Sequence, residues 1–321
     1  RFFIDFPLAA VGHRIGGPAK VSVIASGLFG SISGSAIANT VSTGAFTIPM
    51  MKKAGFKPHV AGGIEPAASI GGMFMPPIMG AGGFIMAELT GEPYSTIMLV
   101  AIFPALMYFF SVYVMVHYEA KRHNIRGEKS EVKASEIFKR EWFYILPLVS
   151  ITILMLMGYS PGYSAIIGIV TCIAVSWFRK ETRIGPRQFL LASRAGAVNS
   201  LKIGATVGVI GIIIGVLTYS GLVLTFADIV IELADGKLWL TILLIALASL
   251  ILGMGVPVTA AYLITAVVAV PALTELGVNP LAAHMIVYWL SQDSNITPPV
   301  CIAAFAGATI AKANMWKTAF T

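Results

Sequence analysis

Charge is scarce in this sequence: only 12% of its 321 residues are Asp, Glu, Lys or Arg, about half the share found in soluble domains. An ordinary water-soluble fold is thereby excluded. Cysteine is nearly absent. Cys172 and Cys301 both lie in apolar sequence, so they read as small core residues and support no disulfide framework or thiolate metal site. The five histidines, His13, His59, His117, His123 and His284, have no metal-ligand spacing. There is no Ser-His-Asp order, Gly-rich phosphate loop or pair of acids on facing segments, so hydrolase and nucleotide chemistry are not indicated. The chain reads as a non-enzyme without a cofactor.

What is abundant is apolar. Hydrophobic residues make up 57% of the chain and the mean hydropathy is +0.83. Apolar runs long enough to span a bilayer recur throughout, and lipid tolerates no unpaired backbone, so the expected fold class is an all-α polytopic membrane protein. The net charge of +7 is no nucleic-acid footprint, because the basic residues sit in short segments between apolar runs, as cytoplasmic loops do. The partner this composition implies is the lipid bilayer.

Proline and glycine carry the longest-range signal. Pro49, Gly55, Pro58, Ser69, Pro76 and Pro77 return as Pro271, Gly277, Pro280, Ser291, Pro298 and Pro299, each displaced by 222 residues. Four prolines fall between Ala260 and Ala303 and all four coincide with a proline of the first window, far beyond chance at a background of about 5% proline. One unit is used twice. The second copy carries spans ahead of the point equivalent to Arg1, so the repeat predicts an internal fragment of a longer chain.

The expected organisation follows from hydropathy and charge. A short amphipathic helix closes at Gly16-Gly17. The first repeat, residues 1–120, holds a re-entrant hairpin over 18–54, a broken span over 59–89 and a span over 95–118. A cytoplasmic linker with an interfacial helix covers 121–141, where Lys121, Arg122, Arg126, Lys129, Lys133, Lys139 and Arg140 outweigh Glu128, Glu131 and Glu136. The second repeat, 142–321, has spans over 142–159 and 163–178, then the basic cluster of Arg179, Lys180, Arg183 and Arg187. An interfacial helix follows over 189–202 with Arg194 and Lys202 on its polar side, making 179–202 cytoplasmic. A span over 203–233 bends at Ser220-Gly221; a hairpin over 238–276 and a broken span over 284–311 complete the unit. The first hairpin is flanked by Arg14, Lys20, Lys52, Lys53 and Lys57, the second by Glu232, Asp235 and Glu275 with Lys237 as the nearby cation. By the positive-inside rule the hairpins enter from opposite faces, so the repeats are inverted.

Inverted repeats with discontinuous helices point to a secondary transporter whose site lies near the midplane, since unwound backbone is tolerated there only where it lines a cavity. Four breaks are expected: Gly30 to Ser35, Gly71-Gly72 through Pro76-Pro77, Gly253 to Pro257, and Ser294 to Pro299. Freed carbonyls suit a small hard cation such as Na⁺, and exposed helix N-termini suit an anion. Side-chain oxygens gather at these breaks: Ser31, Ser33, Ser35, Asn39 and Thr40, then Ser69, Thr259, Ser294, Asn295 and Thr297. Taken singly, each such hydroxyl could serve as helix-packing glue. Asp293, beside the second Pro-Pro pair, and Glu65 are the candidates for a proton or ion path. Glu65 equally suits a helix-start position near the interface, Asp293 a half-helix cap, and Asp228 lies near the outer end of its span.

Several stretches resemble a known family. They are Gly16-Gly17-Pro18-Ala19-Lys20, Ser26 through Asn39, Thr47 through Gly55, Pro76-Pro77-Ile78-Met79-Gly80-Ala81 and Ile296-Thr297-Pro298-Pro299-Val300. Together they are similar to the large permease subunit of tripartite ATP-independent periplasmic (TRAP) transporters. The Ser-Gly-Ser-Ala-x-Ala-Asn and Met-Pro-Pro-x-Met-Gly-Ala wording resembles the TAXI branch, whose permeases are often fused to the small subunit. The resemblance implies a multi-pass protein of the bacterial inner membrane, an elevator-type importer driven by Na⁺ or H⁺. It implies two partners, a periplasmic TAXI-type substrate-binding protein and the small membrane subunit, and an organic acid (C4-dicarboxylate, keto acid or glutamate-like) as substrate. By motif position, Ser33, Gly34, Ser35, Asn39, Gly253, Gly255, Thr259, Ser294, Asn295 and Thr297 are expected to serve the ion. Ser31, Ser35, Ser69, Gly71, Gly72, Pro76, Pro77, Ser294, Asn295, Pro298 and Pro299 are expected to serve the substrate. No arginine lies within either hairpin or broken span, so a carboxylate would rest on helix N-termini and hydroxyls. The readings set beside this one are a divalent-anion symporter without a binding protein, a channel and an intramembrane hydrolase.

Overall fold

Helices stop at Gly71-Gly72 and at the two Pro-Pro pairs, whereas Gly62-Gly63 and Gly82-Gly83 stay helical, and the intervals between the stops set the architecture. The computed structural model describes residues 2–127 and 132–321, with the side chain of Lys202 excepted; Lys129, Glu128 and Glu131 of the linker lie outside the described residues. The helices are α1 (Phe2–Val11), α2 (Gly17–Ser33), α3 (Ala36–Lys53), α4 (Pro58–Gly71), α5 (Gly80–Thr90), α6 (Tyr94–Arg122), α7 (Ala134–Glu141) and α8 (Leu146–Leu156). They continue with α9 (Pro161–Ser176), α10 (Pro186–Tyr219), α11 (Leu222–Leu233), α12 (Leu238–Leu252), α13 (Val258–Glu275), α14 (Pro280–Asp293), α15 (Ile302–Ala311) and α16 (Met315–Ala319). The protein is all-α among the described residues, and α6, α10 and α13 are each long and apolar enough to cross a membrane.

Displacing the bounds of α3 and α4 by 222 residues returns those of α13 and α14, and α5 and α15 begin the same distance apart. Proline at N1 opens both α4 and α14, where its missing N–H and fixed φ suit a helix start. Past the Pro-Pro pairs, both of which contain a cis bond, each short helix leaves its own unit. α15 packs against α3 and α4, and α5 packs against α13 and α14. The two units are interleaved.

Lipid supplies no hydrophobic force to bring helices together, so close backbone approach must. Two glycine crossings provide it. A Cβ on Gly72 would lie 2.4 Å from the Gly30 Cα, joining α2 to the end of α4, and a Cβ on Gly307 would lie 2.2 Å from the Gly62 carbonyl oxygen, joining α15 to α4. Lys52 Nζ donates to the Ala311 carbonyl at 2.7 Å. A cation thus meets the carbonyl end of α15, and α3 and α15 finish at the same end of the molecule.

Four expectations are corrected. α1 stops at Val11 rather than at Gly16-Gly17; Gly16 instead takes φ 66° and opens α2. The break in the first hairpin is confined to Gly34 and Ser35, because Gly30 through Ser33 remain helical, Gly30 supplying a crossing rather than a turn. The interfacial helix over 189–202 and the span beginning at 203 are one continuous helix, α10. No proline interrupts Arg194 to Ile203, isolated glycines do not stop a helix, and the interruption falls at Gly221 with φ 73°. Cys301 is buried as expected, but Cys172 is exposed. In a membrane protein an apolar neighbourhood can face lipid as well as core.

Candidate functional site

The breaks meet. A small apolar cluster joins Ala36 at the start of α3, Ile70 and Met73 at the end of α4, and Ala303 in the first turn of α15, with Val258 at the start of α13 and Ile296 packed against it. The N-terminal ends of three helices therefore abut one region together with the C-terminal end of α4, and N-termini carry the positive end of the helix dipole.

The expected residues take distinct places around this region. Ser33 Oγ donates to the Ser35 carbonyl at 3.4 Å, Gly34 adopts φ 64°, and the Ser35 hydroxyl caps α3 by accepting from Ala38 N at 3.3 Å. Asn39 is fully buried, its Nδ2 donating to the carbonyls of Ser26 at 2.8 Å and Ser69 at 3.4 Å. Gly71 closes α4 and Gly72 forms the crossing with Gly30. In the second unit Gly253 lies against Ser294, leaving no room for a Cβ, Gly255 has φ 72°, and Thr259 is half-buried in the first turn of α13. Asn295 is buried, and its carbonyl accepts from Ala303 N at 3.1 Å. Asp293 ends α14, where its carbonyl accepts from Ile296 N and Thr297 N at 3.1 and 2.9 Å. Pro298 is half-buried and Pro299 exposed. As a cap, Ser35 carries its own prediction: Ser35→Ala is expected to cost about 1 kcal/mol, read as a lower melting temperature in detergent with an unchanged elution profile.

Three buried side-chain oxygens have no hydrogen-bond partner among the described residues: Thr40 Oγ1, Ser69 Oγ and Gln292 Oε1. Burying such a group unpaired costs about 1–3 kcal/mol, so these positions suit a ligand or water. Thr40 and Ser69 flank Asn39 and the first break; Gln292 adjoins the second. Gln292 escaped sequence inspection because the displaced position in the first unit is Ile70.

Freed carbonyls at the first Pro-Pro break are already engaged. Tyr94 Oη of α6 lies 2.8 Å from the Pro77 carbonyl and 2.6 Å from that of Ile78, and Tyr288 Oη of α14 lies 3.0 Å from Met73 O and 2.6 Å from Met79 O. Each hydroxyl shares its hydrogen between two carbonyls. Phe74, in the same turn, stacks on Trp289 with ring centroids 3.9 Å apart. Ser31 and Pro76 open onto a cleft of about 680 Å³ lined, apart from Ser31 and Tyr113, by apolar residues such as Phe103, Leu106 and Phe110.

Glu65 is not a helix-start residue at an interface. It is the eighth residue of α4 and fully buried, and four hydroxyls hydrogen-bond its carboxyl group: Ser22 and Thr47 at Oε2, Ser26 and Thr43 at Oε1. None of the four was singled out from the sequence. The available signal was the spacing, since Ser22 with Ser26 and Thr43 with Thr47 are i, i+4 pairs that share a helix face. Asp228 is exposed on α11.

A family model described as tripartite ATP-independent periplasmic transporter, DctM component, matches residues 1–320. A putative TRAP transporter large permease protein of Haemophilus influenzae is 26% identical over 92% of this chain and 70% of its own length. The C4-dicarboxylate TRAP transporter large permease protein DctM of Pseudomonas aeruginosa is 26% identical over 98% of this chain and 76% of its own. The 2,3-diketo-L-gulonate TRAP transporter large permease protein YiaN of Escherichia coli is 28% identical over 46% of this chain and 35% of its own.

Proposed function

The chain belongs to the family of the DctM component of tripartite ATP-independent periplasmic transporters, and from that premise we propose that it forms the membrane permease of a binding-protein-dependent importer of an organic acid. The family is one of transporter permeases, not enzymes. The protein works in the bacterial inner membrane with a periplasmic substrate-binding protein and a small membrane subunit. The wording around Ser33 to Asn39 and Pro76 to Ala81 supports the TAXI branch. Transport runs on a Na⁺ or H⁺ gradient by an elevator movement in which the two hairpin units travel together against a scaffold; their interleaving through α5 and α15 supports movement as one body.

The observation that carries this reading is the meeting of broken helices around unpartnered buried oxygens, Thr40 Oγ1, Ser69 Oγ and Gln292 Oε1. In an arginine-free site, the N-termini of α3, α13 and α15 with Ser35, Ser294 and Asn295 supply the donors for a substrate carboxylate. Gly34, Gly253, Gly255, Thr259 and Thr297 contribute the backbone and hydroxyl oxygens for a cation. The full-length permease, reconstituted in liposomes with its small subunit, is expected to take up labelled succinate, 2-oxoglutarate or glutamate only with the binding protein and an inward cation gradient. Uptake indifferent to both would overturn the reading.

A further inference from the structure

The Glu65 cluster lies outside the hairpin tips and is built for a purpose the helix units themselves do not require. In the second unit the positions displaced by 222 from Thr43, Thr47 and Glu65 are Thr265, Ala269 and Val287, and α12, in the place of α2, buries Ile245 and Ser249 where α2 buries Ser22 and Ser26. The matching arrangement of α12, α13 and α14 holds two buried hydroxyls and no carboxyl group at these positions, so a buried acid ringed by four hydroxyls is not needed to fold it. In the first unit Gly44 makes room for the acid; a Cβ there would sit 3.0 Å from Glu65 Cγ.

Hydroxyl rotation lets this cluster satisfy the carboxyl group in either protonation state. With Glu65 ionised, the four hydroxyls all donate to it. With Glu65 protonated, its O–H donates to one hydroxyl oxygen, whose own hydrogen must turn elsewhere. Acceptors are in place: Thr43 Oγ1 lies 2.7 Å from the Asn39 carbonyl and 3.2 Å from Asn39 Oδ1, and Thr47 Oγ1 lies 3.1 Å from the Thr43 carbonyl. No heavy atom need move.

No fixed cation neutralises the group among the described residues. On the helices around it, Lys20 of α2 engages His117 Nδ1 of α6 at 3.0 Å, Lys52 of α3 the Ala311 carbonyl, and Glu119 of α6 His123. Lys53, Lys57, Lys121, Arg122, Lys312 and Lys317 are exposed, and His59, at the start of α4, is half-buried. A carboxylate buried within a membrane protein without a counter-ion is costly, and a reversible proton is the smallest group that discharges it. Thr43 connects it through Asn39 to the Ser69 carbonyl, beside the first break.

We propose that Glu65 with Ser22, Ser26, Thr43 and Thr47 is a proton-binding site, present in one of the two units, through which the permease couples transport to the proton gradient. Its coupling role rests on the transport reading above; its existence does not. The proton arrives from bulk water onto a Glu65 oxygen and leaves by the same bond, with the Thr43 hydrogen turning toward Asn39 in between.

Infrared pH titration of the purified full-length permease tests the site without any substrate. The wild-type spectrum minus that of Glu65→Gln should show a carboxylic C=O band that grows as pH falls. No such band in the difference at any pH at which both proteins stay folded overturns the site. In liposomes, Glu65→Gln should lose pH-gradient-driven uptake of labelled succinate, 2-oxoglutarate or glutamate by about tenfold or more while keeping substrate exchange, which moves no net proton. Glu65→Asp should restore part of the uptake. Wild-type uptake driven by Na⁺ and indifferent to pH overturns the coupling. Exchange of no substrate by wild type sinks the transport reading and leaves the infrared band to decide the site.

Discussion

Gly72→Leu is expected to leave no folded permease. Gly72 meets Gly30 backbone to backbone: its Cβ would fall 2.4 Å from Gly30 Cα, 2.8 Å from Gly30 C and 3.2 Å from the Ser26 carbonyl oxygen. None of these atoms belongs to a flexible side chain, so the helices must separate. Overpacking an ordinary core costs about 1–3 kcal/mol, and here separation also withdraws the Asn39 bonds to Ser26 and Ser69. In lipid no gain in apolar burial offsets the loss. The check is fluorescence-detected size exclusion of the tagged protein from membranes, with a monodisperse peak for wild type and none for Gly72→Leu. Gly196→Ala serves as the control, because nothing lies within 4 Å of a Cβ there. That change in the middle of α10 should stabilise slightly, by about 0.5–1 kcal/mol. An intact peak for Gly72→Leu would show that the crossing is looser than its geometry states.

The double substitution Tyr94→Phe/Tyr288→Phe is expected to have the next largest effect. Four carbonyls of the first Pro-Pro break, those of Met73, Pro77, Ile78 and Met79, are held by these two hydroxyls. Removing the hydroxyls keeps the rings and their packing while leaving buried acceptors unpaired, at about 1–3 kcal/mol for each tyrosine. The two hydroxyls hold the neighbouring carbonyls of Ile78 and Met79 in one turn, so their effects should couple rather than simply add. Thermal unfolding in detergent should fall stepwise through the single variants to the double. A double variant no less stable than either single one would mean that water or another group replaces the tyrosines.

These two sites show which parts of the molecule were legible in advance. Gly55, Pro58, Pro76 and Pro77 with their counterparts bracketed the ends of α3, α4, α13 and α14, because proline and glycine act on their own backbone and need no distant partner, while Pro49 and Pro271 sit inside α3 and α13. The same local logic failed over 189–203. There a polar stretch with Arg194 suggested a boundary, but polarity does not break a helix, and α10 continues to Tyr219. Ser35 and Asn39 were found because they flank a glycine break. Gln292 and Tyr288 were not, because the partners of Tyr288 lie 209 and 215 residues away.

The sequence alone determined the class, the repeated spacing and the positions of the breaks, since hydropathy and backbone freedom are properties of short stretches of chain. It did not decide what surrounds Glu65. Its four hydroxyls lie 18 to 43 residues away and come together only when α2, α3 and α4 pack side by side. Tertiary structure likewise decided that the Gly30 and Gly72 backbones touch, and that Cys172 faces outward while Cys301 is enclosed. The physical reason is common to all three. Inside a bilayer both lipid and core are apolar, so the side chains do not state which way they face, and only the packing of one helix on another does.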